Sequence, residues 1–189
     1  MTLARITPPA SEPLSLSEIK AHLRIDHDHE DQLLNDTLAA ARDYCEFATG
    51  QKLITQAWRQ YEVAMAPDRC ISLRVYPVQS VAAVTVFDED GNPAVLAPQS
   101  YRLLKDEQRA SLEFDASVPD ASARNGLEID VVVGMGDLAL DVPESLRRAI
   151  LLLVAHWYEF RGAISADQQP VSIPPGFDRL IAPFRQVRM

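Results

Sequence analysis

The hydrophobic period of this sequence changes twice, from helical to alternating and back to helical. Up to Gly50, apolar residues recur every three or four positions, as on one face of an α-helix. From Leu53 to Val133 short segments alternate with period two, as β-strands do, and from Val142 to Gly162 the period is helical again. The pattern predicts an α+β fold, with an antiparallel-type helical core, an inserted small β domain and an extended C-terminal docking tail.

The 189 residues suffice for one compact domain with appendages. Prolines crowd both ends of the chain, where no period is visible, and these ends are therefore predicted to be extended. The predicted segments are a flexible N-terminal arm (1–14), the N-terminal helices of the core (15–52), the inserted β domain (53–141), the long apolar helix of the core (142–162) and the docking tail (163–189).

Capping signals place the two N-terminal helices. Ser15 and Glu18 form a capping box, which predicts a helix over 16–24. Asp28 is the predicted cap of a second helix, which ends at Gly50. The second helix carries two adjacent apolar stripes, and its apolar face is therefore wide enough to meet two partners. The stripes are Leu34, Leu38, Ala41, Cys45, Ala48 and Leu33, Thr37, Ala40, Tyr44, Phe47.

The long helix that begins near Pro143 is apolar on nearly all sides, which is typical of a helix buried in its own fold or between subunits. Its candidates for contact with a neighbouring subunit are Leu152, Trp157 and Tyr158. The tail after it carries apolar side chains spaced as on one face of a short helix, together with arginines, and this pattern favours docking on another protein. The candidate docking residues are Phe177, Arg179, Leu180, Ile181, Phe184, Arg185 and Arg188.

Charge is unevenly distributed along the chain. The formal net charge is -9, which argues against a protein whose main work is binding nucleic-acid phosphates. The segment 12–46 is acidic and the segment 145–189 is basic. This asymmetry permits head-to-tail contact between copies or a tail that binds an acidic partner, and it is equally compatible with two solvated surfaces. Aromatic side chains beside the tail arginines also allow stacking on bases, a less favoured alternative.

Three patterns contain residue types that occur in metal or cofactor sites. The run Asp26–Asp31 is rich in metal-ligand types, but it lacks the glycine and the closing glutamate of a calcium loop and has no identifiable third zinc ligand. The glycines Gly134 and Gly136 follow a strand but do not open a helix, as a dinucleotide site requires. His156 with Glu159 has no matching partner set on another helix. We expect no metal, no cofactor and no enzyme activity.

Cys45 and Cys70 lie outside any zinc-binding pattern, and a disulfide between them has no support. No signal peptide is visible, and the longest apolar run is too short to span a bilayer. These features predict a soluble protein without membrane contact.

The chain resembles the head-tail connector (adaptor) proteins of long-tailed phages and gene transfer agents. The resemblance rests on five stretches in the family's order: LSLSEIKAHLRID, ATGQKLITQAWRQ, YPVQSVAAVTVFDEDG, VPESLRRAILLLVAHWYE and IAPFR. The resemblance is the same for connector proteins of phages, prophage remnants and gene transfer agents.

The resemblance implies a structural ring protein of about twelve copies, made in the bacterial cytoplasm and located at the head-tail junction of the particle. Its implied partners are the portal protein, neighbouring copies, the next tail-side stopper or terminator protein, and DNA that passes through the channel without specific binding. The C-terminal segment is the part implied to reach the portal. Two alternatives remain: a distal tail-completion protein of the same particle and, less favoured, a small metal-dependent enzyme.

Overall fold

A computed structural model of the chain describes residues 2–106, 109–118, 126–160 and 173–185. The chain divides into two compact units. We call Met1–Ala10 with Thr55–Met135 the sheet unit, and Ser11–Ile54 with Gly136–Met189 the helical unit. Each unit is therefore built from two separate stretches of sequence.

The sheet unit contains two antiparallel sheets. The five-stranded sheet has the order β1-β2-β8-β4-β5, and the three-stranded sheet has the order β3-β7-β6. The strands are β1 (Thr2–Thr7), β2 (Gln56–Glu62), β3 (Cys70–Leu73), β4 (Val78–Phe87), β5 (Pro93–Val95), β6 (Tyr101–Lys105), β7 (Ala110–Phe114) and β8 (Leu127–Val133).

The core of the sheet unit follows from strict alternation in its strands. In β8, Leu127, Ile129, Val131 and Val133 are buried and the residues between them are half-exposed, so one face of the strand meets the core. Residues of both sheets form one apolar cluster, which includes Leu112 of β7. The seven later strands, β2 to β8, lie within the stretch from Leu53 to Val133, where the sequence alternates with period two.

The N-terminal strand corrects the prediction of a flexible arm over 1–14. Residues Thr2–Thr7 pair antiparallel with β2 and form an edge of the five-stranded sheet. The strand ends directly before Pro8 and Pro9, because proline has no N–H to donate to a strand partner. The prolines thus mark the end of a strand instead of an extended arm.

The helical unit begins with α1 (Leu16–Leu23), whose predicted capping box is present. The Ser15 hydroxyl accepts a hydrogen bond from the Glu18 N–H at 3.2 Å, and the Glu18 carboxylate accepts one from the Ser15 N–H at 2.8 Å. The helix ends at Arg24, which adopts a left-handed conformation. The predicted helix is thereby confirmed.

The second helix, α2 (Asp31–Thr49), begins later than predicted. Its N-cap is Glu30, and the predicted cap Asp28 instead binds the Lys20 ammonium at 2.5 Å. The charged pair competes successfully with the helix N-terminus for the carboxylate. The predicted end at Gly50 is confirmed, since this residue has φ of 75° and glycine adopts that conformation without steric cost.

Two further α-helices belong to the described part of the unit. They are α3 (Glu144–Glu159) and α4 (Pro175–Ile181). The helix α3 packs against α1, α2 and α4, and its buried stripe contains Leu146, Ile150 and Leu153. Among the described helices none is long and apolar enough to cross a membrane.

Candidate interaction surfaces

In the described part of the C-terminal segment, two of the candidate docking residues pack into their own unit and are therefore not exposed to a partner. Phe177 is 1% exposed and Ile181 is fully buried. The Phe177 ring lies 5.5 Å from the Tyr44 ring of α2, measured between centroids. These two side chains are core residues of the helical unit because α4 packs on both α2 and α3.

The remaining tail candidates lie at or near the surface. Arg179 and Arg185 are exposed, and Arg185 forms an ion pair with Asp178. Leu180 and Phe184 are half-buried. Arg188 lies outside the described residues. The short segment after α4 is fixed by Gln51, whose side-chain amide donates a hydrogen bond to the Phe184 carbonyl; the bond measures 2.6 Å. The tail therefore combines a buried anchor with an exposed basic side.

The three subunit-contact candidates on α3 have partners within their own unit. The Trp157 ring meets the Tyr44 ring edge-on, with centroids 6.1 Å apart. The Tyr158 hydroxyl donates a hydrogen bond to the Glu30 carboxylate. Leu152 lies beside Gly176 of α4. All three side chains are half-buried, and their apolar character is therefore explained in large part by packing within the helical unit.

Lys20 forms ion pairs with two carboxylates of the acidic run Asp26–Asp31, which leads into α2. The Lys20 ammonium binds Asp28 at 2.5 Å and Asp31 at 2.8 Å. The hydrogen bond to Asp28, followed by that to Asp31, raises the pKa of Lys20. The rings of His27 and His29 lie 5.6 Å apart. Within the described ranges, no group of three histidine, cysteine or acidic side chains is arranged to hold a metal ion.

The other two patterns also have structural explanations. Gly134 has φ of 134° and its N–H binds the Pro77 carbonyl at 2.9 Å, as the chain leaves β8. A Cβ on Gly136 would lie 2.2 Å from the Asp141 carboxylate. That carboxylate accepts a hydrogen bond from the Leu138 N–H at 2.8 Å. Gly134 thus allows the chain to leave β8, and Gly136 allows the backbone to approach the Asp141 carboxylate closely. His156 packs against the Phe160 ring at 4.9 Å between centroids.

A buried charge network in the helical unit was missed from the sequence. Glu46 is 2% exposed, and its carboxylate accepts a hydrogen bond from the Leu53 N–H at 3.0 Å and binds the Lys52 ammonium at 3.1 Å. Arg42 is 4% exposed and binds the Glu12 carboxylate at 2.8 Å. The network holds the chain after α2 and the segment before α1 against the same helix. Helical spacing of Arg42 and Glu46 was its only visible signal.

A second ion-pair cluster joins α1 to α3. Arg147 binds the Glu18 carboxylate at 2.5 Å and donates a hydrogen bond to the Pro13 carbonyl, which measures 3.0 Å. The hydrogen bonds from Ser15, with the charge of Arg147 as a smaller contribution, lower the pKa of Glu18. The capping box thereby fixes both the start of α1 and its contact with α3.

The comparisons with known proteins agree with the predicted family. Residues 13–88, which contain α1, α2 and the strands β2 to β4, match the family described as phage gp6-like head-tail connector protein. No curated protein sequence matches the chain.

Solved structures match over the whole chain. A chain from the structure titled "Virion of native gene transfer agent (GTA) particle" is 29% identical, with a TM-score of 0.82 and coverage of 100% of this chain and 97% of that chain. The neck of an empty particle, computed with C6 symmetry, gives a TM-score of 0.83 at 29% identity and the same coverage. The neck of a native particle, computed with C12 symmetry, gives 0.79 at 28% identity, again with 100% and 97% coverage.

The fold and these matches support a structural connector role at the portal-tail junction. The predicted resemblance, the α+β fold, the connector role and the location at the head-tail junction of a particle are confirmed by the comparisons. The symmetric necks indicate that such proteins occur there as a ring of copies.

Proposed function

We propose that this chain assembles as a ring beneath the portal, continues the DNA channel and provides the platform for the next tail-side protein. The observation that carries this proposal is the whole-chain match, at 29% identity, to a protein of a particle neck computed with C6 symmetry. The related neck computed with C12 symmetry supports a ring of about twelve copies. A match over both units makes it reasonable to extend the role to the entire chain.

We propose that the role is structural and not enzymatic. Charged side chains that could serve chemistry instead make structural contacts: Lys20 binds two carboxylates, and Glu46 accepts a hydrogen bond from a backbone N–H and binds a lysine. The formal net charge of -9 also suits a channel component, since carboxylates repel the DNA backbone and let it slide. We therefore expect no measurable affinity for duplex DNA at physiological salt.

The proposed portal contact uses the exposed basic side of the tail. Arg179 and Arg185 are exposed, and the half-buried Leu180 and Phe184 lie beside them in sequence. Phe177 and Ile181 support this surface from within the core and do not reach a partner themselves. Arginine is favoured at such contacts because its guanidinium pairs with carboxylates in a fixed geometry.

The first experiment is electron microscopy of the purified protein mixed with the portal protein of the same gene cluster. We expect a ring stacked coaxially on the portal, and its rotational symmetry gives the copy number. A folded protein that forms no complex with an intact portal would refute the proposal. Binding only to tail-side proteins would instead support the distal tail-completion alternative.

The tail contact is tested separately by charge reversal. The double variant Arg179→Glu, Arg185→Glu is expected to lose portal binding and keep the thermal stability of the wild type, because both side chains are exposed. Arg102→Glu, an exposed arginine of the sheet unit, is the matched control. Truncation after Gly176 is unsuitable, since it would remove the buried Phe177. Unchanged portal affinity of the double variant would refute the tail contact.

A further inference from the structure

The solvent side of α2 carries a continuous stripe that its own unit leaves uncovered. The stripe consists of Leu33, Asp36, Ala40, Asp43 and Phe47, which follow each other at steps of three, four, three and four residues and are all exposed. We call it the outward α2 stripe. At a rise of about 1.5 Å per residue it is about 21 Å long.

The exposure along this stripe is unusual for its residue types. Phe47 is 75% exposed and Leu33 is 41% exposed, while the buried stripe of the same helix already satisfies the core. Large apolar side chains aligned on one exposed helix face mark an interaction surface more often than isolated ones do. The stripe also carries charge, because Asp36 is exposed, while Asp43 already binds Arg42 of its own helix at 2.7 Å. A partner must therefore offer both apolar and basic groups.

The helix α3 presents such a surface on another side of the same unit. Arg148, Leu151 and Ala155 follow at steps of three and four, opposite the buried stripe of α3. Arg148 is exposed and has no acidic partner within the described residues, while Leu151 and Ala155 are half-buried. Because α2 and α3 turn their buried stripes inward, their outward faces lie on different sides of the helical unit. Two different complementary faces are what a ring of identical subunits requires.

We propose that the outward α2 stripe of one copy packs against Arg148, Leu151 and Ala155 of the next copy. This inference rests on the proposed ring, and it names the surfaces that close it. Arg148 then pairs with the Asp36 carboxylate, and Phe47 covers the apolar part of α3. The contact replaces the predicted use of Trp157 and Tyr158, which have partners inside their own unit.

The test is rescue by charge reversal in the mixture with the portal, followed by electron microscopy and native mass spectrometry. Arg148→Glu is expected to abolish the ring, and so is Asp36→Lys. The variant that carries both reversals, Arg148→Glu with Asp36→Lys, is expected to restore it. A residue needed only for folding would show no such rescue. Asp90→Lys, an exposed acid of the sheet unit, is the control that keeps the ring.

The outcomes separate this inference from the function on which it rests. Absence of a ring with the wild-type protein refutes the proposed function. A wild-type ring that persists in Arg148→Glu, or a combined Arg148→Glu, Asp36→Lys variant that fails to regain it, refutes the α2–α3 contact and leaves the function standing. For the apolar part, Leu33→Ser with Phe47→Ser is expected to lose the ring at unchanged thermal stability, and a persisting ring contradicts that part.

Discussion

Replacing Phe177 with alanine distinguishes a core residue from a docking anchor. If Phe177 served only to reach a partner, the isolated protein would be as stable without it. The side chain is instead 1% exposed and touches the Tyr44 ring. An aromatic side chain of this kind buries roughly 150 Å² or more, which at about 25 cal/mol per Å² corresponds to about 4 kcal/mol. Measured replacements of buried phenylalanine by alanine cost about 3–5 kcal/mol.

The loss should extend to the whole of α4, because a helix of seven residues has little stability without its packing. Urea unfolding followed by Trp157 fluorescence measures the effect, since Trp157 contacts the same Tyr44 ring. The second tryptophan, Trp58, is replaced by phenylalanine so that the signal reports the helical unit alone. With a urea dependence of about 2 kcal/mol per molar, the midpoint should fall by roughly 2 M.

Arg179→Ala in the same background is the matched control. Its side chain is exposed on the same helix as Phe177, and its unfolding midpoint should therefore stay close to that of the parent, within about 0.5 kcal/mol. If Phe177→Ala has the same midpoint as Arg179→Ala, Phe177 contributes nothing to the core and the assignment of α4 to the helical unit is wrong.

Four other predictions concern the helical unit and the two thiols of the chain. Burial raises the pKa of Cys45 to about 12. A thiol reagent at pH 8 should therefore modify only the more exposed Cys70 in the native protein, and both thiols in urea. Fast reaction of both thiols in the native protein would contradict the burial of Cys45. Because of the same pKa shift, the Cys45 thiol ionises at a lower pH in the unfolded chain than in the folded one, and the free energy of unfolding should therefore fall as the pH rises from about 9 towards 12. A Cys45→Ala control should show a smaller decrease of the free energy of unfolding over the same pH range. Glu46→Gln should lower the free energy of unfolding by about 1–3 kcal/mol, because Lys52 loses its buried counter-charge. Ser15→Ala should lower it by about 1 kcal/mol, because α1 loses its cap. Thermal unfolding measures both changes, and a change below about 0.3 kcal/mol, as at an ordinary surface site, contradicts the corresponding prediction.

The features that could be predicted from the sequence are those fixed by neighbouring residues. The capping box needs only Ser15 and Glu18, and the end of α2 needs only the conformational freedom of Gly50. The alternation in β8 likewise predicts its buried face without knowledge of its strand partners. Local signals of this kind gave the order of the elements and most of their limits.

The features that escaped prediction depend on residues distant in sequence. Asp28 is a plausible helix cap until Lys20 competes for its carboxylate. Phe177 carries the same short helical pattern whether it packs on α2 of its own chain or on another protein. The strand β1 is recognised by its pairing with β2, while its own composition is unremarkable beside the prolines that follow it. In each case the deciding contact spans a distance along the chain that periodicity does not report.

The helix α2 links the two levels of organisation proposed for this protein. Its inner side holds the unit together, because it packs on α3, receives Phe177 and carries the buried pair Arg42 and Glu46. On its outer side Asp43 also binds Arg42, while Phe47 is 75% exposed. A phenylalanine exposed to this extent contributes little to the fold of one copy. In the proposed ring its role is contact with the neighbouring copy, which supplies the apolar and basic surface of α3.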